Sequence, residues 1–167
     1  GIALQGLRLI GTALPRAYDD GKDIEARTHM LAAASMGSTA FQKGLGAVHA
    51  ISHPVGAIYH THHGLTNAVM LPYVMRFNHA AIADRMGPVA QALGLVDTSF
   101  DAVFNWVLQF RERLGVPHTL ADLGVDDNRA DEIGRLGEID PPAAKNPVPV
   151  KATDLESIFV QAVNGRL

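Results

Sequence analysis

Five of the eight histidines lie between positions 49 and 63, in the run VHAISHPVGAIYHTHHG. His49 and His53 are four apart, so on a helix they share one face with Cβ atoms roughly 5–6 Å apart. His63 follows ten residues later beside Gly64, where the backbone can turn the ring back toward the end of the helix that carries the pair. Imidazoles gathered in this way suit a divalent ion. An isolated HxxxH pair is more often one core histidine and one exposed neighbour, and it is His63 that shifts the reading toward a metal site. His60 and His62 read as solvated loop residues, and His29, His79 and His118 as structural or surface residues. Position 50 is Ala, where the helical zinc-protease motif needs a glutamate base, so metalloprotease chemistry is disfavoured. With no cysteine in the chain, any metal must be held by imidazole and carboxylate alone.

Other candidate motifs carry less. Gly44-Leu45-Gly46 lacks the third glycine and the preceding strand of a dinucleotide-binding turn, so it reads as a place of close helix packing. Asp19, Asp20 and Asp23 lack the spacing and terminal glutamate of a calcium loop and read as a helix start. The five methionines read as core filler.

The elements that must position the histidines are helical. Apolar residues recur at three and four, and alternation at two is nowhere sustained, so we expect an all-α domain. With 167 residues, 47% apolar composition and 19% charged, the chain can bury a substantial core. The spacing predicts helices over residues 2–17, with Pro15 bending or ending the first, and over 23–52, capped by Asp23 and stopped at His53 by Pro54. Further helices are expected over 65–77, divided by Pro72, and over 80–93. Another runs from Thr98, with Asp101 three residues on, to Gly115 and Pro117, and a last one opens on a capping box of Thr153 and Glu156. Residues 140–147 form a proline-rich connection. A net charge of −3 without a basic run argues against nucleic acid, and no apolar stretch is long enough to cross a membrane, so a cytoplasmic setting is expected.

The residues GLGAVHAISHPVG (44–56), THHGLTNA (61–68) and Leu71-Pro72 together closely resemble the signature of iron-containing (group III) alcohol dehydrogenases. The resemblance implies a helical metal-binding carboxyl-terminal domain, residues 1–167, of the dehydroquinate synthase-like fold. It also implies an amino-terminal nucleotide-binding domain upstream, and Gly1, with no cap ahead of Ile2, is expected to be a cut through that larger protein. In the family's pattern His49 and His63 are metal ligands, and His53 lies at the nicotinamide and substrate as a catalytic and cofactor-binding residue. An upstream aspartate and histidine complete the metal site. The cofactors implied are a divalent metal, Fe2+ by family habit with Zn2+ the chemical alternative, and NAD or NADP. The substrate implied is a small-molecule alcohol or aldehyde, and the intact enzyme is expected to be a homo-oligomer. The 167 residues by themselves are expected to be inactive. Two other readings stand beside this one: a catalytically inert helical interaction or oligomerisation module of the same fold, and a dehydroquinate synthase-like lyase.

Overall fold

A computed structural model describes residues 1–167 and contains eight α-helices, four short 3-10 turns and no strand. The helices are α1 (Ile2–Asp19), α2 (Ile24–Ala40), α3 (Ala47–Tyr59), α4 (His63–Ile82), α5 (Met86–Leu93), α6 (Phe100–Arg113), α7 (Ala130–Ile139) and α8 (Ala152–Asn164). They fall into two compact units. One comprises Gly1–Lys43 with Ile82–Leu114, the other Gly44–Ala81 with Gly115–Leu167.

The first unit holds α1, α2, α5 and α6. The Asp23 carboxylate accepts from the Ala26 amide at 2.9 Å and caps α2, while Arg16 bridges Asp23 and Glu25. Gly6 of α1 is buried against α2, beside Met36 and Ala33. Ala13, Ala26, Ala33, Ala90, Phe100, Val103 and Phe104 are buried. The opening residue of α6 is one later than the sequence suggests: Ser99, not Thr98, accepts from the Ala102 amide.

The second unit carries the histidine cluster. Ile51, Val55, Val69, Met70, Tyr73, Leu155, Ile158 and Phe159 form its core, each large side chain contributing about 1.5–3 kcal/mol by leaving water. The single helix expected over 23–52 is two helices. After a 3-10 turn at Phe41–Lys43 the chain turns at Gly44, whose φ of +118° no side chain adopts without strain, and α3 starts at Ala47. Pro54 does not stop α3 at His53. It sits inside the helix, which runs on to Tyr59. A proline ring removes the amide that would bond Ala50 O. That carbonyl faces Gly137 of α7, where a Cβ would come within 2.9 Å of it. Pro15 and Pro72 likewise sit within continuous helices, so neither ends nor divides one.

Residues 130–139 form a helix that the periodicity did not reveal, because three of its inward positions are Ala130, Gly134 and Gly137. Gly134 lies against the start of α8, where a Cβ would be 2.4 Å from Ala152 O. The expected capping box of Thr153 and Glu156 is also displaced: Lys151 is the N-cap and the Asp154 carboxylate accepts from its amide at 2.9 Å. The proline-rich connection is ordered by a 3-10 turn at Pro141–Lys145. Directly after it, Asn146 Oδ1 accepts from the Ala47 amide at 3.1 Å and from Asn78 Nδ2 at 3.0 Å. Asn146 thus supplies the cap that Gly46 lacks, at the start of the helix bearing His49 and His53.

Candidate metal and catalytic centre

α3 ends at His60, whose φ of 56° places it in the left-handed region. This residue, not Gly64, reverses the chain, and Gly64 lies within α4. The next helix opens at His63, with His62 Nδ1 accepting from the Leu65 amide at 3.3 Å. Thr66 is fully buried and bonds Thr61 at 2.8 Å, fixing the short loop between the helices. His60 and His62 are exposed and serve the turn.

The outcome is a cluster of three imidazoles. Ring centroids of His49 and His63 lie 5.3 Å apart, those of His49 and His53 5.7 Å, and those of His53 and His63 5.4 Å. His49 is half-buried, while His53 and His63 are exposed. Burial, followed by the neighbouring His63 and His53, pushes the His49 pKa below the ordinary imidazole value and so favours the neutral ring. Nε2 of His63 and Nε2 of His49 both receive the amide nitrogen of Asn67, at 3.0 and 3.3 Å. Two nitrogens therefore converge on one point. Beside it the Asn67 Oδ1 is buried without a partner.

His53 turns a different edge. Its Nδ1 donates to Asp140 Oδ2 at 2.5 Å, and the carboxylate is the more sheltered of the two groups. The pair lies at an open, largely apolar cleft of about 400 Å³ that includes Pro54, Ala57, Leu136 and Pro141. Sequence reasoning missed both Asp140 and Asn67. Asp140 is 87 positions from its partner, and nothing local marks it beyond a place just before two prolines. Asn67 follows His63 by four and so shares its helical face, which was a usable signal. His79, sixteen residues beyond His63 on the same helix, is about 24 Å along the axis. The carbonyl of His118 accepts from the Tyr73 hydroxyl at 2.9 Å.

Two imidazoles are too few to hold an ion by themselves. No group of three or more His, Asp or Glu side chains is arranged to hold an ion within this chain. Two convergent imidazole nitrogens with an orphaned amide oxygen beside them still fit a divalent ion that takes its remaining ligands from elsewhere.

The class is an all-helical domain that gathers an HxxxH pair and a third histidine from the next helix start. The chain belongs to the Fe-containing alcohol dehydrogenase family and matches its C-terminal part over residues 1–163. It is 36% identical to a 4-hydroxybutyrate dehydrogenase of Cupriavidus necator over 98% of this chain and 44% of that protein. It is 32% identical to an NAD-dependent methanol dehydrogenase of Bacillus methanolicus, over 96% and 44%. Among solved structures it superposes on a 1,3-propanediol oxidoreductase with a TM-score of 0.92 at 30% identity, covering 96% of this chain and 44% of that one. The chain thus spans less than half the length of the relatives it matches. The all-α expectation and the family resemblance are borne out.

Proposed function

We propose that this chain is the metal- and substrate-binding half of a metal-dependent, NAD(P)-linked alcohol dehydrogenase, which interconverts a small-molecule alcohol with its aldehyde or ketone. The observation that carries the reading is the convergence of His49 and His63 on one point, next to the His53–Asp140 pair. His49 and His63 would hold the ion through Nε2, with its other ligands and the dinucleotide site supplied by the rest of the enzyme. Ferrous iron is the ion we favour, with zinc the alternative, because imidazole and carboxylate do not choose sharply between them. When bound, the ion acts as a Lewis acid on the alcohol oxygen, so that hydride leaves more readily for the nicotinamide.

The chain's own residues do the rest. Asp140 takes the Nδ1 proton of His53 in a hydrogen bond, which leaves the Nε2 lone pair of a neutral His53 free to accept a proton. It also fixes the ring against rotation. The open, largely apolar cleft beside the pair offers the substrate's carbon chain a surface to pack on. We assign His53 to the substrate and nicotinamide side of the site, and we expect the assembled enzyme to be a homo-oligomer in the cytoplasm.

The reading is tested on the full-length protein carrying this chain. Metal content and NAD(P)-linked oxidation of primary alcohols and diols are measured before and after chelation. Activity should disappear with the metal and return when Fe2+ or Zn2+ is restored. A fully chelated protein that keeps its turnover would overturn the proposal.

A further inference from the structure

We propose that in the metal-free protein Asn67 fixes which nitrogen of His49 and of His63 carries the proton, leaving both Nε2 lone pairs bare. The inference rests on the reading of those two rings as ligands. Asn67 and His63 are four apart on α4 and share a face, whereas His49 arrives from α3. The Asn67 amide nitrogen lies 3.0 Å from Nε2 of His63 and 3.3 Å from Nε2 of His49. An amide NH2 has two hydrogens to give and nothing to accept with. Both contacts are therefore satisfied only when each Nε2 is bare and each ring proton sits on Nδ1. That is the tautomer in which a ring can bind an ion through Nε2.

The opposite amide orientation would turn Oδ1 toward both rings and demand a proton on each Nε2, closing both ligands to metal. The orientation present leaves Oδ1 buried and unpartnered. A buried carbonyl oxygen left without a donor opposes that orientation, but the opposite one would bury the NH2 there with two hydrogens unpartnered. The amide nitrogen thus stands where the lone pairs meet. A metal–nitrogen bond of about 2.0–2.1 Å is shorter than the present 3.0 and 3.3 Å, so an ion at that point draws each ring inward by about 1 Å. It displaces the amide, which can then turn.

The role differs from ligation, since Asn67 offers the ion no nitrogen lone pair, and from catalysis, since it acts through the two rings. It is a positioning residue. Substitutions separate its two features: Asn67→Leu keeps the volume and removes both donors, and Asn67→Asp puts acceptors where the donors were.

The test uses the full-length protein, made metal-free and carrying ring-15N histidine. NMR above the imidazole titration range reads which ring nitrogens are protonated, with His49→Gln and His63→Gln assigning the signals. Zn2+ affinity is measured in parallel by chelator competition. We expect bare Nε2 on both rings in the parent and mixed tautomers in Asn67→Leu. Asn67→Asp should carry protons on Nε2. Parent-like tautomers in both variants would overturn the proposal. If Asn67→Leu does not fold, Asn67→Asp still decides the tautomer question. The metal reading fails separately, if His49→Ala leaves the parent's Zn2+ affinity unchanged.

Discussion

His49 and His53 sit one helical turn apart yet face different chemistry. His49 is half-buried, kept neutral by that burial, and shares a hydrogen-bond donor with His63. His53 is exposed and spends its Nδ1 proton on Asp140. In the full-length enzyme, His49→Ala and His63→Ala should each remove metal and activity together. His53→Ala should keep its metal and lower kcat by about 10²-fold or more, the range of a lost general acid or base. Asp140→Ala should lower kcat in the same direction by less, with metal content unchanged, because the ring remains but is free to turn. Metal analysis beside steady-state kinetics checks all four. A His53 variant that loses metal as fully as the His49 variant means the two neighbours have been given each other's roles. The histidines could be read from spacing because a helix turns the interval of four into a shared face. Asp140 could not, because its contact with His53 is made only by the tertiary fold.

Glycine in helices decides how α7 packs. Gly137 lies against Ala50 O and Leu155, and Gly134 against Ala152 O, with no space for a methyl group. Gly137→Ala and Gly134→Ala should each destabilise the protein by about 1–3 kcal/mol despite the better helix propensity of alanine. Urea unfolding followed by circular dichroism measures it, and a neutral or stabilising effect would show that α7 yields easily. These same glycines hid α7 from the periodicity, since small inward residues leave no apolar stripe to count. The prolines misled in the other direction. Local rules end a helix near Pro54, and they do not foresee a packed glycine facing the freed carbonyl of Ala50. The Asp23 cap was legible because its carboxylate bonds an amide three residues away. That bond, followed by the Arg16 ion pair, holds the Asp23 pKa below the usual carboxylate value. The folded protein therefore binds this proton less readily than the unfolded chain. The stabilisation is present above the unfolded pKa of about 3.9 and is lost as pH falls through the lower folded value. Asp23→Ala should lower stability at neutral pH. The difference from the parent should shrink in acid, and a pH series of denaturation midpoints shows whether it does.

Every residue of the chain lies in a helix, a 3-10 turn or a connection between them, with no strand to carry a phosphate-binding turn. Gly44-Leu45-Gly46, the one glycine pair resembling such a turn, is occupied otherwise: Lys145 packs on Gly44, and Asn146 on Gly46. To the reaction proposed above the chain would bring imidazoles, a carboxylate and an apolar cleft, but no glycine-rich turn between strand and helix to grip a dinucleotide pyrophosphate. Hydride transfer needs the nicotinamide held in near-attack contact with the alcohol carbon, and an unheld cofactor forfeits most of that advantage. Two imidazoles also bind an ion far more weakly than a full set of four ligands. Both shortfalls act in the same direction on turnover. The 167 residues purified alone should show no NAD(P)-linked oxidation of primary alcohols or diols above a His49→Ala control, while the full-length protein does. Retained weak Zn2+ binding by the isolated chain, lost in the His49→Ala control, would fit this division of labour. Turnover by the isolated chain above that control would mean these helices hold the dinucleotide themselves, and that the division proposed here is wrong.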